Sequence, residues 1–138
     1  IDRLLVCGYS SYIKNTLLIP VPISRVRFLE RGFNQTELIA QNISKKFACG
    51  LALDIVKCKN TKDHRAGQSK KMRKLSSPNP FFIDNISQIS GYKSITLLDD
   101  VITTGRTLEN IMQVLQYTYP TVEEFNAICL FRGKPYYI

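Results

Sequence analysis

The stretch "SITLLDDVITTGRTLEN", residues 94–110, changes character twice. Ile95–Leu98 is an apolar run of strand length, and Leu108, Ile111, Met112 and Leu115 recur at the spacing of one helical face. Between strand and helix lie Asp99, Asp100, Val101, Ile102, Thr103, Thr104, Gly105, Arg106 and Thr107. A buried strand whose carboxyl end carries paired acids and opens into a helix is a place where α/β sheets put ligands.

The same alternation runs outward from this stretch. "TLLIPVP", residues 16–22, reads as a strand stopped by Pro20 and Pro22, since proline cannot donate to a ladder. "SRVRFLERGF" reads as a basic loop. Asn34 can cap a helix with Glu37 three positions on; Ile39, Ile43 and Phe47 then share a face and Gly50 ends it. "LALDIV", residues 51–56, is a second strand, "FFI" at 81–83 a short third, and "EFNAICLF" at 124–131 follows the stop at Pro120. Residues 1–15 fit the end of a helix or of a strand. Strands alternating with helices imply an α/β domain with a mostly parallel central sheet flanked by helices. At 138 residues, one domain over 1–138 is expected, large enough to bury a core without disulfides or metal.

Composition bounds the class. Hydrophobic content of 44% and charged content of 22% suit a soluble globular chain. No apolar run approaches the roughly 20 residues of a membrane span, and no signal peptide is visible, so a cytoplasmic protein is expected. Cys7, Cys49, Cys58 and Cys129 are far apart with no CxxC pair, which predicts reduced core thiols rather than a metal site or disulfide framework. The net charge of +8 is uneven: residues 1–75 hold 15 Lys and Arg against 5 Asp and Glu, residues 76–138 hold 4 against 6. "KCKNTKDHRAGQSKKMRK", residues 57–74, carries eight basic residues and one acid. It reads equally as a solvated loop or as a trap for phosphates or nucleic acid. His64, the single histidine, reads as a solvated member of that loop.

The loop after the strand has its own chemistry. Asp99 and Asp100 can accept hydrogen bonds from vicinal hydroxyls or hold a hydrated divalent cation, as magnesium shares one or two carboxylates with substrate phosphates. Thr103, Thr104, Gly105, Arg106 and Thr107 offer backbone N–H groups, three hydroxyls and a cation at the favourable end of a helix dipole. Acids for sugar hydroxyls beside a cradle for a phosphate have the shape of ribose 5-phosphate. The whole pattern resembles the phosphoribosyl pyrophosphate (PRPP) motif of type I phosphoribosyltransferases. The resemblance implies that family's fold. It also implies that Asp99 and Asp100 bind the ribose hydroxyls and residues 103–107 the 5-phosphate, with Mg2+ on the pyrophosphate and near the two acids.

"IPVPIS" followed by "RGFNQTELIA", with Gln68 and "NPFFI" further on, is similar to the ComF-like branch of that family, over roughly residues 17–131. By this resemblance Val21, Pro22, Ile23 and Ser24 form the pyrophosphate loop, and Lys70, Lys71 and Arg73 belong to a flexible basic loop that closes over the ligand. ComF-like chains usually begin with a four-cysteine zinc module; nothing here supplies it, so the chain is either truncated or a member without it. The spacing from Arg73 to Asn79 is longer than usual. Purine-salvage relatives place an aspartate as general base where this chain has Thr103, which cannot do that work at neutral pH. The family's acceptor pocket comes from a variable hood, for which only residues 1–15 and "RGKPYYI" are available.

Two roles stay open. One is a PRPP-binding protein of the ComF type that handles incoming single-stranded DNA during natural transformation, alongside other competence or DNA-uptake proteins. The other is a transferase that passes ribose 5-phosphate from PRPP to a nitrogen acceptor in nucleotide metabolism, with pyrophosphate leaving the anomeric carbon. Phe28 and Phe33 lie among arginines, and Tyr136 and Tyr137 near Lys134, where they could stack bases; core packing is the expectation for Phe33 and Phe47.

Overall fold

The structure, a computed structural model, describes residues 4–6, 13–59, 79–84, 89 and 91–133. Five strands form one sheet in the order β1 (Leu4–Val6), β7 (Glu124–Arg132), β6 (Ser94–Ile102), β2 (Leu17–Pro20), β3 (Gly50–Leu51), and every pairing in it is parallel. Helices α1 (Arg25–Arg31), α2 (Gln35–Phe47) and α3 (Arg106–Thr118) accompany it. The mostly parallel α/β architecture expected from the sequence is the one observed.

Its central strands are apolar on both sides because both faces are covered. Leu17, Ile19, Ile95 and Leu97 point into one core with Leu108, Ile111, Met112 and Leu115 of α3. Leu18 and Leu98, one residue out of phase, point into the other core with Ala40, Ile39, Ile43 and Phe47 of α2. Phe47 thus packs as expected. Within the sheet, the buried Thr16 and Thr96 hydroxyls share a hydrogen bond of 2.8 Å and Ser94 Oγ donates to Thr16 at 3.2 Å, which satisfies these buried polar groups.

Several elements differ from the sequence expectation. "SRVRFLERGF" is not a loop: Ser24 caps α1 by accepting from the Arg27 N–H, and Gly32 ends it at φ 78°. Helix α2 ends at Phe47 with Ala48 in the left-handed region, and Gly50 belongs to β3. "LALDIV" is not one strand; Asp54 at φ 61° breaks it, leaving β3 in the main sheet and β4 (Val56–Cys58) in a separate ribbon. There β4 pairs antiparallel with β5 (Phe81–Ile83). The basic residues Lys70, Lys71 and Arg73, and His64 with them, lie outside the described residues.

Topology positions the site. From β2 the chain crosses through α2 to β3 on one side, and from β6 through α3 to β7 on the other. The connections leaving the carboxyl ends of β2 and β6 therefore diverge, the topological switch point at which open α/β sheets bind their ligands.

Candidate functional site

The two acids are part of the strand, not the loop after it: β6 runs through Asp99 and Asp100 to Ile102. Pairing with β2 stops at Pro20–Leu98, while pairing with β7 continues to Ile102–Arg132. Asp99 and Asp100 thus sit where β6 is braced on one side only and faces the β2–β6 switch point on the other. Both are half-buried. Burial, followed by the neighbouring Asp100 carboxylate, raises Asp99 to about 6. A carboxylate pair held under such strain is stabilised by whatever brings donors or positive charge to it. Cys129, opposite Asp99 in β7, adds no anion; burial raises its thiol, which donates to the Phe131 carbonyl at 2.9 Å.

Beyond Ile102 the chain turns sharply. Gly105 takes φ 78°, and no side chain caps α3: its first N–H groups are left to a ligand or water, save the Arg106 N–H, which reaches the Thr104 hydroxyl at 3.4 Å. Thr103, Thr104, Arg106 and Thr107 are exposed around this end. Three threonines and an arginine thus flank the positive end of the 13-residue helix, where an anion is favoured, though Glu109 in the first turn opposes a second one.

The Val21–Ser24 loop is fastened beside the acids by main-chain and side-chain bonds. The Val21 N–H donates to the Leu98 carbonyl at 2.8 Å, carrying the β2–β6 ladder one step past Pro20. The Val21 carbonyl accepts from Asn34 Nδ2 at 3.2 Å. Asn34 is 4% exposed; its Oδ1 accepts from the Thr36 N–H at 3.1 Å and its Nδ2 also donates to Glu37 Oε1 at 3.0 Å. One side chain therefore caps α2 and holds the loop. The capping role was readable from the Asn34–Glu37 spacing, but the bond to Val21, thirteen residues away, was not.

The structure thus brings together the expected ribose acids, the phosphate turn and the Val21–Ser24 loop. The β4–β5 ribbon that bounds residues 60–78 is also anchored here: Asn79 Nδ2 donates to the Asn110 carbonyl in α3 at 2.6 Å. Two exposed apolar side chains lie beside the acids. Val101 and Phe131, paired across β6 and β7, are 44% and 68% exposed, an apolar ledge next to the acids. Strand alternation past Leu98 was the signal for them, masked by reading Asp99 as the strand's end. Among the described residues no three His, Cys, Asp or Glu side chains converge to hold a metal. Two carboxylates suit a magnesium ion that keeps its waters and arrives with substrate phosphates.

No family model matches the chain. Among curated proteins it is 37% identical over 100 residues to "Competence protein F" of Haemophilus influenzae, covering 72% of this chain and 43% of that protein. It is 31% identical over 98 residues to "DNA utilization protein YhgH" of Shigella flexneri, covering 71% of this chain and 42% of that one. The chain spans less than half the length of these relatives. A solved hypoxanthine phosphoribosyltransferase from Staphylococcus aureus superposes with a TM-score of 0.43 at 16% identity, covering 92% of this chain and 59% of that one. No helix among the described residues is long and apolar enough to cross a membrane.

Proposed function

The chain belongs to the ComF-like family of competence protein F, and from that premise we propose that it has the phosphoribosyltransferase type of fold, binds PRPP in the crevice between β2 and β6 and serves in handling single-stranded DNA during competence. The observation that carries the first half is the convergence of Asp99 and Asp100, open to the crevice, with the uncapped start of α3 and the tethered Val21–Ser24 loop. Asp99 and Asp100 accept the ribose 2- and 3-hydroxyls. Thr103–Thr107 hold the 5-phosphate through N–H groups and hydroxyls. Val21, Pro22, Ile23 and Ser24 face the pyrophosphate, whose charge a magnesium ion would neutralise beside the acids. Lys70, Lys71 and Arg73 add cations from the segment between β4 and β5. The second half is supported by the words competence and DNA utilization in the relatives' names, and by the excess of cations in residues 1–75.

A transferase reading is favoured by one observation, the Val101–Phe131 ledge, which offers a flat acceptor base an apolar surface beside the ribose site. Release of pyrophosphate from PRPP in the presence of individual bases tests it.

The test of the main reading is thermal. PRPP with magnesium at about 100-fold its Kd adds roughly 2.7 kcal/mol to stability by mass action. Asp99→Asn with Asp100→Asn should abolish that rise while leaving far-UV circular dichroism unchanged. A double variant that responds to PRPP as the parent does removes the ribose assignment.

A further inference from the structure

Helix α1 contributes to neither core. All seven of its residues are exposed and none joins either core, although Val26, Phe28 and Leu29 are apolar. Apolar side chains collected on a helix outside both cores mark a surface open to a partner. Arg25, Val26, Phe28 and Leu29 line one wall of a cleft of about 760 Å³, and Val56, Lys57 and Lys59, in and just after β4, line another. Ile23 and Ser24 of the Val21–Ser24 loop stand at its edge.

Charge says what fits there. The cleft's cations are Arg25, Lys57 and Lys59, its acids Asp54 and Glu37. Asp54 is taken by Lys57 at 2.9 Å, and Glu37 accepts from Asn34 at 3.0 Å. Arg25 and Lys59 are left without an ion pair among the described residues. Along the helix Arg25 and Arg31 lie three residues either side of Phe28, the spacing of neighbours on a helical surface. Phe28 is 49% exposed, and Phe33, expected in the core, is 47% exposed just past Gly32. The charge left over in the cleft is thus all positive, beside a half-bared aromatic ring, which suits a polyanion. A strand of unpaired nucleotides has the complementary pattern, flat apolar faces on a chain of phosphates.

Resting on the DNA-handling reading above, we propose that α1 and β4 form a platform for single-stranded nucleic acid, with a base stacked on Phe28 and phosphates held by Arg25 and Lys59. Val26 and Leu29 supply the apolar wall behind the stacked base. Because Ile23 and Ser24 edge the same cleft, the bound strand abuts the pyrophosphate end of the PRPP crevice.

The experiment is fluorescence anisotropy of a labelled oligo-dT titrated with the full chain at several salt concentrations. Stacking is worth about 1–3 kcal/mol per base, so Phe28→Ala should weaken binding roughly tenfold without changing the salt slope, and Phe28→Tyr should restore it. Arg25→Ala with Lys59→Ala should flatten the slope by about 1.4, at roughly 0.7 per phosphate contact. Since Phe28 is half-exposed, its Ala variant should keep the parent's melting temperature and its PRPP-induced rise. A parent that does not bind the oligonucleotide ends both the DNA reading and the platform. A parent that binds while all these variants match it ends the platform alone. A parent dimer that Phe28→Ala dissociates, with DNA affinity unmoved, overturns it in favour of a second copy on α1.

Discussion

Replacing Asn34 separates two things that one side chain does. Asn34→Ala removes the cap of α2, worth about 1 kcal/mol. It also strips a partner from the Val21 carbonyl at a buried position, worth about 1–2 kcal/mol. The Glu37 contact is lost as well, so a loss of roughly 2–3 kcal/mol is expected, or a melting temperature lower by about 10 °C in a chain of this size. Asn34→Asp keeps an acceptor for the Thr36 N–H, and aspartate caps as well as asparagine. It has no donor for Val21 and sets a second carboxylate against Glu37. Asn34→Asp should therefore recover the capping share of the stability while still losing the PRPP-induced rise, because the Val21–Ser24 loop is released. Differential scanning calorimetry of the three proteins, each with and without PRPP and magnesium, reads both quantities. An Asn34→Ala protein within about 0.5 kcal/mol of the parent, the range of an ordinary surface change, would show that the bonds at Asn34 carry no load. An Asn34→Asp protein with the parent's full ligand response would show that the loop holds its shape without the tether.

Two further outcomes follow from the site's geometry. At Gly105 the φ of 78° disfavours a β-branched residue though open space surrounds a Cβ; Gly105→Val should lose protection by ribose 5-phosphate and by PRPP, Gly105→Asn should be milder, and a Val variant protected by both ligands would put the phosphate elsewhere. Asp99 rises from 3.8 to about 6 in the folded chain, so the native state holds its proton more tightly and stability falls as pH climbs between those values. Asp99→Asn should thus melt higher than the parent at pH 7.5 and alike below about pH 4, in calorimetry without ligand; an equal difference at both pH values would refute burial as the cause.

The sheet was legible because its central strands answer to two cores at once. Leu17, Leu18 and Ile19 have to be apolar in succession, as do Ile95, Leu97 and Leu98, and such runs stand out in any sequence. Helices α2 and α3 were legible because each covers one face and so repeats with helical period. The same logic explains the failures. Helix α1 buries nothing, so it carries no period and reads as a charged loop; its signals lay in Ser24 and Gly32 at its two ends, not in its middle. "LALDIV" has the composition of one strand, and only the left-handed Asp54 divides it between two sheets.

The paired acids and the turn after them stand out in the sequence for a different reason: they are contiguous, from Asp99 to Thr107, on one strand and one turn. What the sequence hid depends on distant pairing. The acids seemed to end a strand because polar residues rarely continue a buried one, yet β7 keeps pairing with β6 through Ile102, where β2 has already stopped. That mismatch in length opens the acids to the crevice on one side and places Val101 against Phe131 on the other. The Asn34–Val21 tether likewise joins two segments that look independent in sequence, a capped helix and a proline-rich loop. The RGFNQ element thereby acquires a physical reason. Its Asn34 holds the proposed pyrophosphate loop, while the Phe28-to-Phe33 stretch before it faces the cleft and solvent. The two proposed ligands are thus carried by adjoining parts of one short segment, residues 21–34.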